Sequence, residues 1–476
     1  MLSLHNLRLY AAIAIGKTAG FTSRVLRLGG GTTLPGTLAR HLAPNILRQL
    51  SKQLDQGVVL IAGTNGKTTT ARLLANILTE SGQKIIHNRA GANLLAGLTA
   101  TALTESSLVG KPHASLALFE TDEAALPTAI QETQPRLVIL HNLFRDQLDR
   151  YGEVDTIARQ WHSALAHLPE TSIVLLNADD PAIANLGHGL TAQVSFYGLE
   201  DTRHASNHIV HIADSQFCHS CGAPYTYSAI FYAHIGHYTC PQCGKHRPSP
   251  NYRLERLDLA GTTASQLFFS YPGGAFESRL PLPGLYNALN ALAASSGALL
   301  LGVDPKQVRT TLEHFDAAFG RIEHIDADGK PILLALIKNP VGASETVRML
   351  IGDIDHTVST SETPHRLHLL IAINDKYADG TDVSWLWDAD FEQLHKYVSH
   401  IVISGTRAED MAVRLKYAGI PAEHCHIEPD LPRAMDVAVQ QLPQDQTLYV
   451  LPTYTAMLEL RADLARRGWV RPFWED

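Results

Sequence analysis

Before Asp55 the sequence contains no aspartate or glutamate, whereas Arg8, Lys17, Arg24, Arg27, Arg40, Arg48 and Lys52 all precede it. Such a lead can lie on an anionic membrane surface or pack as a helical arm on the body of the protein, and the two readings are compatible. Its apolar run, Tyr10 to Gly16, is too short to span a bilayer, and no convincing cleavage site follows. Internal repeats and long low-complexity linkers are also missing, which leaves 476 residues for two or three domains with sizeable cores. Excess positive charge is absent: 39 Lys+Arg against 47 Asp+Glu give a net charge of −8, and nothing in that balance points to nucleic acid. Cysteine is scarce. Four of the five cluster in one short region, which argues against a secreted disulfide framework and for a metal site in a reducing compartment. The expected location is the cytoplasm, with a peripheral place at the inner membrane face open to the basic arm.

From about residue 57 the chain alternates apolar strands, polar loops and amphipathic helices. The runs "GVVLIAG", "ASLALFETDE", "PRLVILHNLF" and "SIVLLNADDP" each end in polar residues, the pattern of a parallel sheet with functional groups at its strand C-termini. Residues from about 200 to 255 break that rhythm with His, Tyr and cysteine pairs. The stretch "LPGLYNALNALAASSGALLLG" then predicts a strong helix. After "FGRIE" a second, smaller α/β domain is expected from "PILLALI", "LHLLIAI", "HIVISGT" and "QTLYVLP".

The stretch "GTNGKTTT" (Gly63 to Thr70) sits between a strand and a helix, the context a phosphate-binding loop requires. Glycines let backbone N–H groups turn to a phosphate, Lys67 would neutralise β- and γ-oxygens, and Thr68 would hold Mg²⁺. It departs from the general pattern in having Ile61 at the first glycine position. A strand-ending carboxylate, Glu120 in "LFETDE", could face the same metal, with Asp122 and Glu123 following. Strand ends also carry Asn142, Arg145, Asp146 and Asp149, and the "NADDP" turn at Asn177 to Pro181. Each could be only a cap, and their convergence on Lys67 favours a nucleotide site.

Cys218, Cys221, Cys240 and Cys243 give C-x₂-C-x₁₈-C-x₂-C, two tight turns that complete a tetrahedral thiolate site. Gly222 and Gly244 follow the pairs, as such knuckles prefer. Zinc is the expected metal, and a closed four-thiolate site is structural; a reactive dithiol is the competing reading. His219, His234, His237 and His246 read as local packing residues, and Cys425 as structural. One segment resists this kind of reading. "AINDKYADGTDVSWLWDADFE" packs Asp375, Asp379, Asp382, Asp388, Asp390, Trp385 and Trp387 into what looks like a loop after a strand.

Together, "GTNGKTTT", "LFETDE", "HNLFRDQLDRYGE", "LLNADDP", "LPGLYNALNALAA" and "FGRIE" resemble the Mur ligase family from about residue 57 to the end. Its members are ATP-dependent enzymes that form amide bonds through an acyl phosphate. The expected domains are a basic helical arm (1–55), a central α/β P-loop domain with a parallel sheet (56–317), a zinc ribbon inserted in it (205–255), and a Rossmann-like α/β domain facing a partner (318–476), the resemblance supplying the two α/β domains. It also implies that Gly63, Thr64, Asn65, Gly66, Lys67, Thr68 and Thr69 cradle ATP. Thr68 and Glu120 would hold Mg²⁺, with Lys67 and Glu120 catalytic. Asn287 matches an asparagine near the nucleotide, and Arg321 a basic residue facing ATP from the second domain.

Three departures narrow the resemblance. About 55 residues precede the phosphate loop, too few for a UDP-binding domain; a Cys₄ insert is present; and the family's "DYAHNP" reads "ALIKNP", with Ala335 and Lys338 in place of its Asp and His. The histidine of "DHLD" is likewise Gln147. These fit a branch whose ligase subunit works in a heterodimer with a separate GatD-type glutaminase and amidates the D-glutamate α-carboxylate of lipid II. The resemblance places the carboxylate completing the partner's Cys–His pair at Asp382, with Asp379 and Asp388 next in line. Turn-forming acids beside an incidental tryptophan pair are the plainer alternative. Two rival functions are a folylpolyglutamate synthase-like ligase and a non-catalytic nucleotide-binding zinc-ribbon scaffold.

Overall fold

The computed structural model describes residues 4–25, 33–88, 92–145, 154–205, 215–315, 322–358 and 366–471. Its first eleven strands are β1 (Gly57–Ala62), β2 (Ile85–His87), β3 (Leu116–Glu120), β4 (Leu137–Leu140), β5 (Ile173–Asn177), β6 (Gln193–Leu199), β7 (Thr226–Tyr232), β8 (Ile235–Thr239), β9 (Tyr252–Ala260), β10 (Ala264–Tyr271) and β11 (Gly274–Leu280). Nine form one sheet in the order β11-β10-β9-β6-β5-β4-β1-β3-β2, while β7 and β8 pair with each other. From β2 to β9 neighbouring strands run parallel. The edge formed by β9, β10 and β11 is antiparallel, which the expected parallel sheet had not included. Its strands are joined by tight turns and mix exposed with buried positions, as a one-faced meander does.

The strands β1, β3 and β4 are apolar up to their last residues because helices cover both faces, Glu120 being the exception that ends β3. On one face the helices Lys67–Glu80 and Leu285–Leu300 pack Leu74, Ile77, Leu289 and Leu292 against Val59 and Ile61. On the other, Ile13, Ile46, Leu98 and Trp161 pack toward Val58 and Leu60. Ile13 belongs to the N-terminal helix Leu4–Val25, which is a packed arm. Two of its basic side chains are used locally: Arg8 donates to the Leu42 carbonyl and Lys17 to those of Thr104 and Ser106, at the ends of neighbouring helices. Arg40 forms a two-pronged ion pair with Glu132 at 2.8 Å, and Arg48 donates to the Gln131 carbonyl. Among the described residues no helix is long and apolar enough to cross a membrane.

A second sheet is built from β12 (Ile322–Ala327), β13 (Lys330–Ala335), β14 (Leu367–Ala372), β15 (Val398–Ser404), β16 (Cys425–Ile427) and β17 (Leu448–Pro452). Their order is β12-β13-β17-β14-β15-β16, parallel except for the β12–β13 hairpin. The helices Pro340–Val358 and Ala408–Tyr417 cover one face, and Leu431–Gln441 and Tyr454–Arg466 the other.

Candidate active site

The phosphate loop leaves β1 between β3 and β4, where the chain passes from one side of β1 to the other, the usual place for a ligand crevice in such sheets. Gly63 and Gly66 have φ of 144° and 90°, and both positions are crowded as well as left-handed. A Cβ on Gly63 would meet the Cβ of His141 at 2.8 Å, and one on Gly66 the Asn290 side-chain oxygen at 2.1 Å. Asn142 braces the loop by accepting from Asn65 N–H at 2.8 Å and donating to the Asn65 carbonyl at 3.2 Å. Thr64 exchanges hydrogen bonds with the Phe144 backbone.

Two side chains of the helix that follows reach carboxylates from the end of β3. Lys67 lies 3.0 Å from Glu123, a pair in which both side chains are less than a tenth exposed. The Thr68 hydroxyl donates to Glu120 at 3.0 Å. Asn88 clamps the Glu120 backbone from both sides, at 2.9 Å each way, so this carboxylate is fixed opposite Thr68. His141 is buried against the loop and holds the Tyr197 hydroxyl at 2.9 Å through Nδ1. Burial and the nearby Lys67 push its pKa down to about 3, so it is neutral and adds no charge to the site.

The second α/β unit also reaches this loop. Lys338 Nζ donates to the Thr64 carbonyl at 3.4 Å, and Asn339 and Asn65 pair side chain to side chain at 2.9 and 3.5 Å. Asn339 additionally accepts from Gly342 N–H at 2.9 Å, capping the helix Pro340–Val358.

The four sulfurs of Cys218, Cys221, Cys240 and Cys243 lie within 4.8 Å of one another, a set that could hold one metal ion. Each knuckle closes on a left-handed glycine: Gly222 donates to the Cys218 carbonyl and Gly244 to that of Cys240, both with φ of 74°. The "NADDP" turn meets the segment after β4 that braces the phosphate loop, Asn177 donating to the His141 carbonyl at 2.9 Å and Asp180 accepting from Leu143 N–H at 3.0 Å, but its acids also have a second use. Asp179 is held by Arg247 at 2.6 Å and Asp180 faces His234 at 3.3 Å, so these acids tie the cysteine-bearing insert to the end of β5. From the other side, Arg348 of the helix Pro340–Val358 donates to the carbonyls of Phe231, on β7, and His204, both at 2.6 Å.

One turn earlier, Glu345 is 8 % exposed, with only Arg348 at 3.8 Å to offset its burial, and its pKa is pushed up to about 7 from an ordinary 4.5. Folded protein therefore keeps this proton to a higher pH than unfolded protein. The stabilisation is complete below the ordinary value and is lost as pH rises toward the folded one. Glu345→Gln is expected to gain on the parent as pH increases from about 5 to about 8, by up to ~3 kcal/mol. Parallel melting-temperature profiles for the two proteins would contradict it.

Two family models match the chain, "Mur ligase middle domain" over residues 61–298 and "MurT ligase C-terminal" over residues 336–457. A relative from Streptococcus pneumoniae, the lipid II isoglutaminyl synthase (glutamine-hydrolyzing) subunit MurT, is 35% identical over 98% of this chain and 99% of its own. The chain belongs to the MurT family of Mur ligases. A MurT subunit from Staphylococcus aureus is 32% identical over 97% of this chain and 98% of its own. Among solved structures, MurF from Acinetobacter baumannii superposes with a TM-score of 0.64 at 19% identity, covering 90% of this chain and 80% of that one, which places the fold among Mur ligases.

Within this MurT-family fold, Gly63, Thr64, Asn65, Gly66, Lys67, Thr68 and Glu120 meet at one place, while Thr69 is buried. Asn287 is one step removed: it accepts from Asn290 at 3.4 Å, and Asn290 is the residue against Gly66. Arg321 lies outside the described residues, as do Asp146, Gln147 and Asp149. Asp382 sits in the loop after β14, not among the residues meeting at the phosphate loop. It is exposed and accepts from Ser384 N–H at 2.8 Å. Asp379 is buried and caps the helix Tyr454–Arg466 through Thr455, and Asp388 is exposed. Sequence reasoning missed Asn88, Asn290, Lys338 and Asn339 as site residues. The pair of asparagines at i and i+3 in "YNALN", on an otherwise apolar helix, was the one legible signal.

Proposed function

We propose that this chain is the ATP-using ligase subunit of a two-subunit enzyme that amidates the D-glutamate α-carboxylate of lipid II, with ammonia released from glutamine by a GatD-type glutaminase. The observation that carries the reading is the Lys67, Thr68 and Glu120 constellation in a chain that aligns end to end with MurT subunits. The alternatives of a folylpolyglutamate synthase-like ligase and a nucleotide-binding scaffold have no such end-to-end support.

In this reading Lys67 leaves Glu123 for the β- and γ-phosphates of ATP, and the loop N–H groups of residues 63–68 hold the phosphate chain. Thr68 and Glu120 hold Mg²⁺, which would neutralise charge on the transferring phosphoryl group. Asn287 acts behind the loop through Asn290. The carboxylate displaces ADP from the γ-phosphorus, and ammonia then attacks the acyl phosphate carbon, releasing phosphate. A small neutral nucleophile needs no amino-acid pocket, consistent with the missing "DYAHNP" acid and histidine. The four cysteines hold a structural zinc ion, for which their crossed sulfur contacts of 3.5 and 3.6 Å suit a tetrahedral site.

The acid-rich loop faces the partner. Trp387 and Tyr417 stand 53% and 72% exposed in an edge-on contact at 5.5 Å. Arg414 fastens the loop beneath them, donating to the carbonyls of Leu386 and Ala389 and to Glu392. Exposed aromatics on a rigid base are what an interface anchor requires. Asp382, exposed earlier in the same loop, orients the partner's catalytic histidine. The expected result for Asp382→Ala is a fall of ~10²-fold or more in glutamine-dependent amidation of lipid II, with ammonium-dependent amidation and complex formation kept. Unchanged glutaminase activity would make Asp382 a turn residue. The chain without its partner should use ammonium poorly and glutamine not at all.

A further inference from the structure

We propose that Lys338 is a second phosphate-contacting cation of the ATP site, brought to the phosphate loop by the second α/β unit. The proposal rests on the ligase reading above. Lys338 Nζ and Lys67 Nζ each donate to the same Thr64 carbonyl at 3.4 Å, so one phosphoryl group can touch both ammonium groups. The two are not equivalent. Lys67 is buried in the central unit, in an ion pair with Glu123. Lys338 is half-buried and comes from the segment preceding the helix Pro340–Val358. Its backbone is pinned to the loop by the adjoining Asn339–Asn65 amide pair and by the Asn339 cap on that helix.

The chemistry has a use for such a charge. A carboxylate oxygen must approach the γ-phosphorus, two anionic groups meeting within bonding distance. The new bond joins that oxygen to phosphorus, while the bond from phosphorus to the β,γ-bridging oxygen breaks and its electron pair leaves with ADP. Lys338 stays protonated throughout and neither gives nor takes a proton. Its role is to offset charge on the transferring group and on the acyl phosphate that follows. Because it comes from the second unit, that charge is in place only when the two units are docked.

The test is steady-state amidation of lipid II by the complete complex, comparing parent, Lys338→Met and Lys338→Arg at saturating ammonium. Lys338→Met is expected to lower kcat ~10²-fold with the KM for ATP changed less than about 3-fold, and with melting temperature and glutaminase activity kept. Lys338→Arg, which keeps the charge, should recover at least about a tenth of the parent rate. A kcat for Lys338→Met within about 3-fold of parent would overturn the proposal, as would a loss shared equally by Lys338→Arg. Failure of the parent complex to amidate lipid II would instead refute the underlying ligase reading.

Discussion

Lys67→Ala is expected to lower ATP-dependent amidation by ~10³-fold or more, and to do so for a reason separable from folding. Lys67 is buried against Glu123 at 3.0 Å, so the alanine variant strands a buried carboxylate. Breaking such a pair costs about 3–5 kcal/mol, and a lower melting temperature should accompany the lost activity. The double variant Lys67→Ala/Glu123→Gln removes the stranded charge. It should recover most of the stability and none of the turnover, measured as phosphate release in the presence of lipid II and ammonium. Recovery of turnover together with stability would mean that Lys67 holds the loop in shape without contacting phosphate.

The second large effect concerns the cysteine cluster. Metal binding contributes roughly 10–16 kcal/mol to the folding of small four-ligand modules, so this insert should depend on its ion for order. Cys240 is fully buried, and Cys240→Ser is expected to lose one equivalent of zinc and to expose the β7–β8 hairpin to protease. The consequences should travel. Asp179–Arg247 and Asp180–His234 tie the insert to the first sheet, and Arg348 ties it to the helix Pro340–Val358. That helix follows the Lys338–Asn339 contact on the phosphate loop. A zinc-free protein should therefore amidate lipid II at less than about a tenth of the parent rate while its phosphate loop still binds ATP. Full activity after removal of the ion would show that the insert does not seat the second unit.

What could be read from the sequence follows the range of the interactions. The phosphate loop and the two knuckles are local: glycines, a lysine and paired cysteines announce backbone geometry within a few residues. The central helix of "LPGLYNALNALAA" was equally plain, because its apolar spacing is carried by the segment itself. Asn88 was invisible because its work is to clamp Glu120, 32 residues away. Lys338 read as the loss of a histidine, since only the packing of the second unit on the first shows that it reaches Thr64. The basic lead was half legible. Its charge imbalance is real, but Arg8, Lys17, Arg40 and Arg48 are engaged with helix ends and with Glu132. The acids of "NADDP" look like ligands when read alone and are structural ties to an insert whose distance along the chain hides the pairing. In the acid-rich loop, burial separates carboxylates that sequence could not: Asp379 is spent on Thr455, while Asp382 remains at the surface.

The account stands or falls on activation of a carboxylate as an acyl phosphate at the Lys67–Thr68–Glu120 site. The direct measurement uses lipid II whose D-glutamate α-carboxylate carries oxygen-18, turned over by the complete complex with ATP and glutamine. The account predicts one oxygen-18 atom in each phosphate released, with amide, glutamate and phosphate formed in equal amounts. Phosphate free of the label, with amide still formed, would contradict it.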